Sequence, residues 1–205
     1  WNWPEKQFNR VALINLLIAR TKGWSSSYLE IGCFNNQTFN AVAVSNKVGV
    51  DPNSGGTHRM TSDAFFDTSK TKFDVIFIDG LHHYSQVKKD AINALNCLQD
   101  GGWIVFHDML PSSWQEQHIP RISEVWTGDC WKLAVELISS QGLDFKIIKV
   151  DHGVGILRKK SGNVFVPDMM GELLNANFDK FIENLDNFPI IDFSDAVAFI
   201  DEVTK

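Results

Sequence analysis

Two short clusters combine residue types that can bind a cation and move a proton. The first is Asp79-Gly80-Leu81-His82-His83, directly after the apolar run Phe73–Ile78. The second is His107-Asp108, directly after Trp103–Phe106. Carboxylates converging from two adjacent strand ends supply the oxygen ligands that a divalent ion needs, so Asp79 and Asp108 are candidate ligands, with His107 as a third. His82, one helical turn beyond Asp79, is placed to take a proton from a hydroxyl held on that ion. On the alternative reading the two aspartates only cap loops, and His83 or His107 is a satisfied core histidine. A further carboxylate, Asp51, closes the run Lys47–Val50. It is either the acidic residue that accepts both hydroxyls of an adenosine ribose or a turn-former before Pro52. Glu30-Ile31-Gly32-Cys33 ends an earlier apolar run, where a glycine lets the backbone approach a ligand near a helix N-terminus. The sequence holds no GxGxxG, which counts against a standard dinucleotide site.

These residues need a frame that brings strand ends together. Tyr28–Gly32, Lys47–Val50, Phe73–Ile78 and Trp103–Phe106 read as strands, the last two as continuous apolar runs of the kind buried on both faces. Helical spacing marks Tyr84–Leu98, closed by Gly101-Gly102, and Trp131–Ser140. Pro4–Arg20 reads as an opening helix with Phe8, Val11, Ala12 and Ile18 on one face, and Ala41–Val44 belongs to the helix after the first strand. Phe145–Val150 and Val154–Arg158, joined by Asp151-His152-Gly153, read as a terminal hairpin. Alternating strands and helices imply an α/β architecture, a mostly parallel sheet wrapped by helices with one antiparallel strand at its close. Ligands then bind beyond the C-terminal strand ends, where the candidate residues lie.

With 205 residues the chain is expected to be a single domain, its core over about 24–160 and a helical extension over 161–205. Met170, Leu173, Leu174, Phe181 and Leu185 fall on one face of that extension, which is expected to pack on the core or to pair subunits as a homo-oligomer. A net charge of −6 without a Lys/Arg block excludes a basic footprint for nucleic acid. The run Val11–Ala19 is too short to span a bilayer and lacks the flanks of a signal peptide. Three widely spaced cysteines (Cys33, Cys97 and Cys130) suit free thiols in a reducing, cytoplasmic setting. The sequence opens at Trp1, as a piece cut from a longer polypeptide would.

The ordered motifs YLEIGC (28–33), GVDPNSGGTHRMTSDAFF (49–66), FDVIFIDGLH (73–82), GGWIVFHD (101–108), GDCWK (128–132) and GVGIL (153–157) together resemble class I S-adenosylmethionine (SAM) dependent methyltransferases of the methyltransferase 24 group. The resemblance covers about residues 28–158. It implies a Rossmann-like, seven-stranded sheet whose last strand is antiparallel. It also implies SAM over the Glu30–Gly32 turn and Cys33, Asp51 on the ribose, Ser62 and Asp63 near the adenine, and Asp79 at the edge of the cofactor. The pattern Asp79-x-x-His82 with Asp108 is similar to the metal-dependent sugar O-methyltransferases of the macrocin and mycinamicin type. That similarity implies Mg2+ or Mn2+ on Asp79 and Asp108, His82 as base, and a saccharide acceptor near His83, Trp126, Asp129, Trp131 and Lys132. His107 departs from the pattern, since those enzymes carry an acidic residue there; a His ligand tilts the site toward manganese. Two rival classes are a metal-dependent hydrolase built on the His/Asp cluster, which leaves Asp51 and the Gly32 turn without a role, and a silent SAM-fold binding domain.

Overall fold

The computed structural model describes residues 8–160 and 162–204. Seven strands form one sheet: β1 (Tyr28–Ile31), β2 (Lys47–Val50), β3 (Phe73–Ile78), β4 (Leu98–Phe106), β5 (Leu143–Ile148), β6 (Val154–Lys159) and β7 (Ile190–Ile191). Their order is β2-β1-β3-β4-β6-β5-β7, and among the described residues β6 is the only strand that runs against its neighbours. The expected antiparallel strand is therefore the sixth along the chain. The seventh, parallel to β5, comes from the C-terminal extension.

The apolar runs sort onto two faces because successive strand residues point to opposite sides. Ile76, Ile78, Ile104 and Phe106 face the core shared with α3 (Ser62–Thr68), α4 (Tyr84–Cys97), α6 (Trp131–Ile138) and α8 (Phe178–Asn184); the short α5 (Trp114–Gln117) lies between α4 and α6 in the chain. Val75, Phe77, Trp103 and Val105 face the core of α1 (Arg10–Arg20), α2 (Gln37–Ala41) and α9 (Phe193–Val203). Six buried residues of β3, with none exposed, are what a doubly covered strand requires.

Several elements differ from expectation. The Asn9 side chain caps α1 at the amide of Ala12, and Leu13, Ile14, Leu17 and Ile18 form its buried face, while Phe8 is exposed. The expected segment Pro4–Gln7 lies outside the described residues. α2 ends at Ala41, so Val42–Val44 follow the helix rather than belonging to it. The extension breaks into α7 (Met170–Leu173), α8 and α9, and it folds back on the chain's own core. Phe181 packs edge-on against Trp131 at 5.5 Å, and Phe199 against Trp103 at 6.3 Å. Leu173 is buried and Leu174 exposed, so the expected single face is split. The three cysteines are free thiols. No helix among the described residues is long and apolar enough to cross a membrane.

Candidate active site

The C-terminal ends of β1, β2, β3 and β4 open into one cavity of about 740 Å³, lined by residues from Glu30 to Thr38, by Val50–Asn53, Thr61–Asp63 and Asp79–His82, and by His107, Asp108, Arg121 and Trp126. That volume lies within the range of small-molecule sites. Its floor is the turn after β1. Gly32 has φ +86°, and a Cβ there would overlap the Asp79 carbonyl, so only glycine lets β1 and β3 end side by side at this point. The cradle fits an extended ligand laid across the strand ends, as SAM would require.

Asp51 holds that turn in shape. Its Oδ2 accepts the amides of Cys33 at 3.0 Å and Phe34 at 2.9 Å, and its Oδ1 those of Asn53 and Ser54 at 2.8 Å each. Burial alone would raise its pKa; the four amides overcome this and hold the carboxylate below its usual range. The expected ribose contact therefore meets a carboxylate whose oxygens already accept two donors each, and Asp51 is first a clamp between the β1 and β2 turns. Glu30 lines the cavity but is 1% exposed, and it accepts the Tyr28 hydroxyl at 2.6 Å; burial lifts its pKa to about 7. Ser62 and Asp63 open α3 under the cap of Thr61, and the Gln86 amide binds them at 3.2 and 2.9 Å. Sequence reading missed Gln86, which also lines the cavity.

In the same cavity, Asp79, His82 and Asp108 each bring a potential ligand atom within 4.8 Å of the others. Asp79 and Asp108 offer carboxylate oxygens that fit a divalent ion, with the His82 imidazole beside them. His82 Nε2 lies 3.2 Å from Asp79 Oδ1. Its Nδ1 lies 3.1 Å from Asp108 Oδ2 and 3.3 Å from the Trp126 carbonyl, and the ring stacks on Trp126 at 5.3 Å. Burial opposes protonation of His82, but the two carboxylates prevail and raise its pKa above the ordinary value. Asp79 moves the other way: burial would lift its pKa, and His107 and His82 pull it well below the carboxylate range.

His107 is not one of that set of three, but its ring lies against both of the carboxylates in it. Its Nδ1 is 3.2 Å from both Asp79 Oδ1 and Asp108 Oδ1, and its Nε2 is 3.5 Å from Asp151 Oδ2. Against the cost of burial, these three acids push its pKa up to about 12, although neither ring nitrogen makes a well-aligned hydrogen bond. Asp151 and its partner Arg10 were not legible from the sequence.

The expected acceptor residues divide. Trp126 lines the cavity. His83 starts α4 and packs edge-on against Trp126 at 6.2 Å without lining the cavity. Trp131 is fully buried against Phe181, with its indole N–H on Gln117 at 3.1 Å. Lys132 is 3% exposed and pairs with Asp129 at 2.9 Å, while Asp129 also accepts the Tyr84 amide at 2.6 Å. Trp131, Lys132 and Asp129 are buried groups paired with one another and with the core.

Residues 18–109 match the family model of a methyltransferase domain, the methyltransferase 24 group. The match covers a little under half of the chain, and over those residues the chain is similar to a methyltransferase domain. The solved structures similar to it include the O-methyltransferase TomG of Streptomyces achromogenes in complex with SAM (14% identity over 74% of this chain and 80% of that one, TM-score 0.55). An O-methyltransferase from Bacillus cereus in complex with SAH (S-adenosylhomocysteine) is similar at 15% identity over 78% and 85%, TM-score 0.53. The SAH-bound methyltransferase PaMTH1 of Podospora anserina follows at 17% over 78% and 83%, TM-score 0.52. At these identities the likeness establishes the class I methyltransferase fold. No curated protein matches the sequence. The methyltransferase domain model ends at Met109, so it spans the Gly32 turn and all of Asp79, His82 and Asp108.

Proposed function

We propose that the chain is a SAM-dependent O-methyltransferase whose acceptor is a saccharide hydroxyl, with a divalent cation assisting. The observation that carries this reading is the convergence of Asp79, His82 and Asp108 on the wall of the cavity whose floor is the Gly32 turn. The acceptor class follows from the Asp79-x-x-His82 and Asp108 pattern and its similarity to sugar O-methyltransferases. A hydrolase would leave the β1 and β2 turns without a role, and the methyltransferase domain match speaks against it.

SAM supplies a methyl group already activated by a sulfonium, and an ion on Asp79 and Asp108 would make a bound hydroxyl more acidic. What the chain itself must do is align the acceptor oxygen and remove its proton. Alignment is worth roughly 7–11 kcal/mol and one general base about 10²–10⁴-fold, so positioning dominates. His82 is the base we assign. Asp108 and the Trp126 carbonyl face Nδ1 and Asp79 faces Nε2, so the ring is held at both nitrogens; with an ion on Asp79, Nε2 would be the nitrogen left to take the acceptor's proton. Trp126, stacked on the ring, covers it from solvent.

Calorimetry with SAH and a screen of sugar nucleotides and oligosaccharides with labelled SAM test the reading. SAH should bind, and at least one saccharide should become methylated. Chelation with EDTA, or Asp108→Ala, should abolish turnover while SAH affinity stays nearly intact. Full activity after exhaustive chelation would remove the cation from the mechanism, and failure to bind SAH would remove the whole reading.

A further inference from the structure

We propose that Asp151 and Arg10 are positioning residues that act through His107 on the two carboxylates of the site; the proposal rests on the metal-assisted reading above. The turn between β5 and β6 lies far from Asp79 and Asp108 in sequence, yet it closes the back of their site. Asp151 Oδ2 is 3.5 Å from His107 Nε2 and pairs with the Arg10 guanidinium, and the other His107 nitrogen contacts Asp79 and Asp108 at 3.2 Å each. Arg10 also donates through Nε to Thr38 Oγ1 at 3.1 Å, so one side chain ties α1, α2 and the hairpin turn together around the cavity.

The backbone is an independent observation. Asp151, His152 and Gly153 are three consecutive left-handed residues, with φ of +49°, +61° and +85°, and Asp108 is left-handed as well at +60°. Side chains rarely adopt this conformation, and it persists where surrounding structure enforces it, often at functional sites. The surroundings are visible: the amides of Met109 and Leu110, directly after Asp108, donate to the carbonyls of Gly153 at 3.0 Å and His152 at 2.8 Å. Turn and strand end are thus locked to each other, and both carboxylates of the pair Asp108 and Asp151 reach His107 from strained backbone. A purely structural hairpin has no need of an acid aimed at a buried imidazole. An Asp–His contact behind a ligand set fixes the ring, and the ring fixes the spacing of Asp79 and Asp108. Outer-shell contacts of this kind are worth about 10–100-fold in metal affinity or activity.

The test is a double-mutant cycle in the full chain, read by calorimetric titration with Mn2+ alone and needing no acceptor. Asp151→Asn should weaken Mn2+ binding about tenfold, with SAH affinity unchanged and the melting temperature within about 4 °C of wild type. On a His107→Gln background the same change should cost no more than about twofold further. Arg10→Met should reproduce part of the loss and Arg10→Lys restore it. Equal losses at Asp151 in both backgrounds, no loss in either, or a wild type that takes up no Mn2+ would overturn the proposal. Failure of SAH to bind while the Mn2+ cycle behaves as described would instead strike the methyltransferase reading.

Discussion

His82→Ala should lower kcat by about 10²–10⁴-fold while leaving SAH affinity nearly unchanged, because it removes a proton acceptor and not a cofactor contact. His83→Ala should cost several-fold at most. Its ring rests edge-on against Trp126, outside the cavity, and it makes no side-chain cap to α4. Added metal should not restore the His82 variant; recovery at high Mn2+ would make His82 a ligand and move the base elsewhere. The pH behaviour has a definite sign. Burial favours the neutral ring, but Asp79 and Asp108 outweigh it, so the His82 titration in the metal-free protein should have its midpoint above 6.5. Asp79→Asn should bring that midpoint down. The deprotonated, base-competent ring therefore gains population as pH rises above the ordinary histidine range. NMR titration of the imidazole signals measures both shifts, and a midpoint at or below 6.5 in the wild type would contradict the carboxylate cage.

The strand ends were legible because Gly32, Asp51, Asp79 and Asp108 each follow an apolar run by one or two residues, with His82 one helical turn past Asp79, and a parallel sheet gathers such positions on one edge. That logic delivered the Gly32 turn, Asp79, His82 and Asp108 to one cavity. It failed for groups whose partners are distant in sequence. Arg10 and Asp151 are 141 positions apart, and no local spacing announces their pairing. The GDCWK stretch left two readings open, a binding surface or a satellite of the core. Tryptophan and lysine beside an irregular segment resemble a binding surface, but α6 is covered by α8, so Trp131 and Lys132 are interior. A buried lysine is tolerable here because Asp129 neutralises it and the Leu174 carbonyl accepts from it at 2.9 Å. The seventh strand is only Ile190–Ile191, too short to show a period, and it exists because β5 offers it an open edge.

Replacement of Asp51 should have a larger effect on stability than on ligand recognition as such. A ribose contact alone predicts that Asp51→Ala weakens SAH binding with no change in melting. The structure predicts the reverse emphasis. The carboxylate accepts four backbone amides, from Cys33, Phe34, Asn53 and Ser54, and the Ala variant leaves them without that partner. Hydrogen bonds to a charged group contribute about 1.5–3 kcal/mol each and do not add fully, so a loss of ~3–5 kcal/mol is expected. For a chain of this size that lowers the melting temperature by roughly 10 °C. Asp51→Asn should lose nearly as much, because its amide nitrogen would face two N–H donors where an oxygen now accepts them. The depressed pKa makes the effect pH-dependent. Asp51 stabilises the fold at neutral pH, above its unfolded value of about 3.9, and the contribution fades as pH falls through the lower folded value. The gap between wild type and Asp51→Asn should therefore narrow in acid. Thermal melts across pH, set beside SAH calorimetry at a temperature where the variants remain folded, separate the roles. A variant that melts with the wild type but binds SAH tenfold more weakly would return Asp51 to the ribose.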